Sequence, residues 1–205
     1  SPDKSALRKD GLGLIRTAFA AGREKIRAAV EKNGLEGVAA ARLLSALQDR
    51  IIQVIYDFAV KHVYYAQNPS AAERLSVVAT GGYGRGELAP GSDVDLLFVR
   101  LYKQTAWGES IIEFILYMLW DLGLKVGHAT RSLAECVRLA KQDITIRTAV
   151  LEARYLWGDR ALYDQLRVNF WKDVATGNGQ DFVEAKLAER EARHARQGES
   201  RYLVE

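Results

Sequence analysis

Leu75–Val99 reads LSVVATGGYGRGELAPGSDVDLLFV. Two apolar runs flank a loop that holds Gly81, Gly82, Gly84, Gly86 and Gly91, with Pro90. Arg74–Thr80 and Asp93–Arg100 are short, aliphatic and bounded by turn residues, which predicts two strands. The second opens on Asp93 and Asp95, although aspartate is a poor strand residue. Side chains alternate along a strand, so both carboxylates point the same way, about 6.5 Å apart at a rise of about 3.3 Å per residue. Val94, Leu96 and Phe98 face the opposite side as core, while Leu97 and Val99 carry the aspartate face into apolar surroundings. Like charges at this spacing repel, the more so when partly buried. A shared divalent ion relieves the repulsion, and hard carboxylate oxygens suit one. Taken alone, the pair also reads as a turn-capping Asp93 and a solvated Asp95. Joined to a Gly-Gly turn at the end of the preceding strand, it points to metal and triphosphate.

The glycine loop fits neither common phosphate signature. No Gly-Lys-Ser/Thr follows it, and Gly82, Gly84 and Gly86 have the wrong spacing for G-x-G-x-x-G. The segment after the loop reads as a strand, so no helix N-terminus is expected to hold an anion there. Phosphate would have to meet backbone amides of the Gly81-Gly82 turn, a nest that the missing Cβ atoms leave open.

Outward from this stretch, residues 4–32 carry a helical stripe of Leu12, Ile15, Phe19, Ile26 and Val30, stopped by Asn33-Gly34. A second helix is predicted over Gly37–Ala66, with Leu44, Leu47, Ile51, Ile55 and Phe58 as its stripe and Asn68-Pro69 at its end. Both read as a packing cap without chemistry. Residues 107–122 form an apolar helix set against the sheet, and Leu124–Arg131 (LKVGHATR) a third strand. Helices follow near 132–141, 143–157 and 159–172, with Asp143 and Asp159 placed to N-cap. Gly177-Asn178-Gly179 is a loop, and a charged helix spans 180–197. The domain organisation expected is a helical segment over 1–70, a core over 71–131 and a helical region over 132–205.

Composition is that of a soluble globular chain: 205 residues, 48% hydrophobic and 27% charged. A net charge of +3 is too weak to argue for nucleic acid or a membrane surface. One cysteine, Cys136, excludes an intrachain disulfide and suits a reducing cytosol. The apolar run Phe114–Trp120 is far short of the about 20 residues a membrane span needs. The N-terminus is no signal peptide and lacks an initiator Met, so the chain is expected to be a piece of something longer.

A Gly-Gly turn, a short connection and Asp-x-Asp on a strand resemble the polymerase-β-like nucleotidyltransferases. The fuller string, with Gly123–Asp159, KLAEREARH at 186–194 and the closing RYLVE, resembles the bacterial uridylyltransferase/uridylyl-removing enzymes that modify the nitrogen-signalling protein PII. The resemblance implies an α/β (α+β) polymerase-β-like nucleotidyltransferase fold, a small mixed sheet flanked by helices. It implies a cytoplasmic enzyme that moves UMP from UTP to a tyrosine of PII and releases pyrophosphate. Carried onto this sequence, Asp93 and Asp95 would be catalytic and bind Mg²⁺, with Mn²⁺ as the alternative. Gly81, Gly82, Ser92 and Arg85 would bind the nucleotide. The resembled enzymes also carry an HD hydrolase domain and ACT sensor domains, neither visible in this chain.

The wider superfamily often has a third carboxylate on a later strand. LKVGHATR has none, and His128 is the polar residue nearest the expected place, with a structural role as the plainer reading. Arg85 and Glu87 either contact nucleotide or pair and shape the turn; Arg131 either reaches phosphate or caps a helix. His62 and His194 read as surface or packing residues. Two alternatives stand beside the family reading: a nucleotidyltransferase acting on another protein or a small molecule, and a nucleotide-binding regulatory domain without turnover.

Overall fold

The first two predicted strands pair with each other. In a computed structural model, which describes residues 4–66 and 70–175, β1 (Leu75–Ala79) runs antiparallel to β2 (Val94–Arg100), with Val77 opposite Phe98. The third strand, β3 (Val126–Ser132), lies parallel to β2 and sets Asp95 beside Gly127 and Leu96 beside His128. A fourth strand, β4 (Arg154–Gly158), adds to the other side of β1, so the sheet runs β3-β2-β1-β4 and is mixed. This is the small mixed sheet with helical flanks that the nucleotidyltransferase resemblance implies.

That fourth strand corrects the helix expected over 143–157. The helix α6 (Ile144–Leu151) stops early, and the chain turns through Glu152 and Ala153 into RYLWG. Tyr155 and Trp157 favour an extended backbone, and a short apolar run does not itself separate helix from strand. Pairing with β1 decides the matter. Gly158 closes the strand at φ 90°, where a Cβ would run into the Leu75 carbonyl.

Alternation along β2 divides the core. Val94, Leu96 and Phe98 join Val77 and Ala79 against α1 (Lys4–Asn33), α2 (Gly37–Phe58) and α4 (Ala106–Asp121), where Ile15, Ile52, Ile55, Ile111 and Ile115 are buried. Leu97 and Val99 join Val78 on the other face, under α5 (Leu133–Gln142), α6 and α7 (Arg160–Phe170). Asp95 shares this second face.

Caps fix several helix starts. Asp143 accepts from the Thr145 and Ile146 amides, Asp159 from that of Leu162, and Ser132 and Glu135 form a reciprocal capping box. The second helix is α-helical to Phe58 and ends in one π turn, Ala59–Val63. Its sheet-facing side differs from the expected stripe: Ser45 and Gln48 are buried with Ile51, Ile52 and Ile55, while Leu44, Leu47 and Phe58 are only partly so. Among the described residues, no helix is long and apolar enough to cross a membrane. The expected helix over 180–197, the motifs at 186–194 and 201–205, and His194 lie outside the described residues.

Candidate active site

The turn after β1 is one helical turn, α3 (Gly81–Gly84), rather than an open loop leading straight to a strand. Thr80 precedes it in extended backbone, and its amide donates to the Asp95 carbonyl at 3.0 Å. Gly81 then takes φ 57°, a conformation that costs an L-residue about 1–2 kcal/mol. A Cβ on Gly81 would lie 3.0 Å from Asp95 Oδ2, and one on Gly127 would collide with Asp95 Oδ1. The Asp95 carboxylate therefore occupies space that two glycines, one on each side, leave open.

Asp95 is half-buried; Asp93 and Ser92 are exposed and precede β2. Burial raises the Asp95 pKa, and the Asp93 charge raises it further. Among the described residues neither carboxylate has a hydrogen bond or an ion pair. Adjacent, uncompensated carboxylates fit a hard divalent ion that completes its shell from substrate phosphate. The described residues hold no cluster of three His, Cys, Asp or Glu side chains that would enclose a metal by themselves.

Asp95 faces a cavity of about 470 Å³ between the sheet and α6. Gly81, Gly82 and Arg85 line it with Gly127, Arg131, the α6 residues Thr145 and Ala149, and Glu152 just after α6. Ser92 and Asp93 stand outside its wall. Arg85 pairs with Glu152 at 3.0 Å, and Glu87 with Arg42 at 3.1 Å, so the two loop charges do not pair with each other. Arg131 shares the Asp95 face of the sheet, because it lies beside Val99 in the parallel register.

His128 departs from its expected place. It lies beside Leu96, so its side chain turns to the α4 face, where its ring meets Trp120 edge-on at 6.3 Å. On the Asp95 face, β3 presents Gly127, Ala129 and Arg131, and no carboxylate.

Several residues here were not anticipated. Gly127 was readable, since a glycine inside a strand marks a close approach. Glu152 depended on knowing where α6 ends. Asp49 and Arg154, remote in sequence, meet behind the turn. Arg154 donates to both Asp49 carboxylate oxygens at 2.6 and 3.1 Å, and the Tyr83 hydroxyl donates to Asp49 at 2.6 Å. Burial and then Asp49 push the Tyr83 phenol pKa far up, so it stays a donor.

With this geometry in view, residues 67–151 match the family model described as nucleotidyltransferase domain. The chain carries a nucleotidyltransferase domain. Over 194 residues, 95% of its length, it is 54% identical to a bifunctional uridylyltransferase/uridylyl-removing enzyme of Rhodospirillum rubrum. It is 53% identical over 203 residues, 99% of its length, to the enzyme of the same name from Phenylobacterium zucineum. The matches take in 21% and 22% of those relatives, so the chain spans about a fifth of their length. The family resemblance drawn from the glycine loop and the aspartate pair is thereby borne out for the nucleotidyltransferase domain. Such domains generally use divalent metal ions and act on a nucleotide, in keeping with the Asp95 carboxylate at the cavity and the Asp93 charge beside it.

Proposed function

We propose that this nucleotidyltransferase domain transfers UMP from UTP to a tyrosine hydroxyl of the signalling protein PII in the cytoplasm. The relatives' names supply the uridylyl group. The observation that carries the chemistry is the Asp95 carboxylate, set between Gly81 and Gly127 with Asp93 nearby and facing the cavity.

Asp93 and Asp95 would hold Mg²⁺, or Mn²⁺ in its place, which when bound neutralises triphosphate charge and lowers the pKa of an acceptor hydroxyl. Gly81 and Gly82 offer backbone amides to the phosphates, and Ser92 assists from the loop. Arg85 has an exposed guanidinium held at one end by Glu152, which leaves donors for phosphate oxygens. The acceptor oxygen bonds to the α-phosphorus, the bond to the bridging oxygen breaks, and pyrophosphate leaves with those electrons. The acceptor proton passes to solvent or a nearby carboxylate. Most of the rate gain is positioning and charge stabilisation.

Titrating the protein with the Mg²⁺ complexes of UTP, CTP, ATP and GTP by calorimetry tests the nucleotide. UTP should bind at least about tenfold more tightly than the others, a difference of about 1.4 kcal/mol. Preference for a purine would overturn the uridylyl reading and leave a different nucleotidyl transfer.

A further inference from the structure

The turn that faces the nucleotide is gripped from behind. Besides its bidentate pair with Asp49, the Arg154 guanidinium donates to the carbonyls of Tyr83 at 3.2 Å and Gly84 at 3.3 Å. It also lies 5.4 Å from the Tyr83 ring centroid. These carbonyls close the single helical turn α3, and that of Tyr83 also accepts from the Gly86 amide at 3.0 Å. Carbonyls and amides point opposite ways along a helical turn, so fastening the carbonyl end to Arg154 leaves the amide end free. Gly81 and Gly82 at that end line the cavity; Arg154 does not.

Asp49 lies half-buried on α2. It sits beside Ser45, whose hydroxyl also meets Arg154 at 3.4 Å. Further along the loop, the Leu88 amide donates to the Ala41 carbonyl at 3.2 Å and its side chain is buried. Helix α2 thus reaches this turn through specific hydrogen bonds as well as through apolar packing. A bidentate guanidinium–carboxylate pair fixes direction in a way an apolar contact does not.

We propose that Asp49 and Arg154 are positioning residues: from α2 and β4 they hold the Gly81–Gly84 turn in the orientation that presents its amides to the triphosphate. This rests on the reading of that turn as the nucleotide site. The Tyr83 hydroxyl completes the device by orienting Asp49.

The test is calorimetric titration with Mg²⁺–UTP of wild type, Arg154→Lys and Tyr83→Phe, each shown to be folded at the working temperature by circular dichroism. Lysine keeps the charge but cannot serve Asp49 and both turn carbonyls together. Arg154→Lys should weaken binding by about tenfold or more, and Tyr83→Phe, which removes one hydrogen bond to a charged group, by several-fold, about threefold to tenfold. In transfer assays KM for UTP should rise while KM for the acceptor protein stays. Asp159→Ala, remote from the cavity, serves as the control: it should lower Tm and leave UTP affinity unchanged. Wild-type affinity in both folded variants, or affinity that merely follows Tm in the control as well, would overturn the inference while leaving the nucleotide site standing. Failure of wild type itself to bind Mg²⁺–UTP would overturn both.

Discussion

Gly81 and Gly82 are neighbours with different duties. Gly81 has a positive φ and would carry its Cβ to 3.0 Å from Asp95. Gly81→Ala should therefore cost about 1–3 kcal/mol of stability as well as nucleotide binding, read by denaturant melts and calorimetry. Gly82 has an ordinary φ, and a Cβ there meets only the flexible tip of Arg85 at 3.5 Å. Gly82→Ala should fold with a stability change under about 0.5 kcal/mol and lose affinity for Mg²⁺–UTP, because the methyl occupies the phosphate side. Unchanged affinity in Gly82→Ala would make the turn a mere connection. Asp95 carries a second residue-scale expectation. Its folded pKa is raised by burial and then by Asp93. Ionised Asp95 thus disfavours the folded state above its folded pKa, and the penalty disappears below the unfolded value of about 3.9. Without divalent metal, Asp95→Asn should melt higher than wild type at neutral pH, with the difference shrinking as pH falls below about 4. A lower melting point at pH 7 in chelator would show that the carboxylate is structurally satisfied.

At the scale of elements, the β4–α7 junction depends on Asp159. It caps α7 through the Leu162 amide and pairs with Arg74 just before β1. Hydrogen bonding from Arg74 lowers its pKa, helped by the capped amides against some burial. A depressed folded pKa means stability present above the unfolded value of about 3.9 and lost as pH falls through the folded one. Asp159→Ala should cost about 1–2 kcal/mol at pH 7, with the gap to wild type closing below about pH 4 in thermal melts. Such caps were legible in the sequence because Asp143 and Asp159 each stand before a helical pattern, and β1 and β2 were legible from the apolar runs around the glycines. The strand β4 was not, since RYLWG follows α6 with no Gly or Pro between and its state is set by hydrogen bonds to β1. The same limit hid the Asp49–Arg154 pair: neither residue has a local signature, and only the sheet brings α2 and β4 together. Gly127 had a signal, a glycine amid strand residues, whose meaning became visible only when the register set it beside Asp95.

For the molecule as a whole, helices cover both faces of one sheet, and α2 both packs on that sheet and hydrogen-bonds to the turn that lines the cavity. Ile51, Ile52 and Ile55 of α2 are at most 5% exposed against the sheet. Each buried side chain of this size contributes about 1.5–3 kcal/mol, against a usual total of about 5–15 kcal/mol. Deleting residues 1–66 should abolish cooperative unfolding, seen as loss of the near-ultraviolet circular dichroism signal and of a calorimetric transition. A cooperative melt in the truncated chain would place the core elsewhere. The central claim, that the carboxylates beside the glycine turn carry metal-dependent uridylyl transfer, is tested most directly with UTP labelled at the α-phosphorus. The protein and its Asp95→Asn variant are each incubated with PII and Mg²⁺, and the label on PII is counted. Label should accumulate on PII with wild type, vanish on chelation, and fall at least about 100-fold with folded Asp95→Asn, the loss of one transition-state contact of about 2.7 kcal/mol or more. Label transferred equally well by Asp95→Asn, or none transferred by wild type, would contradict it.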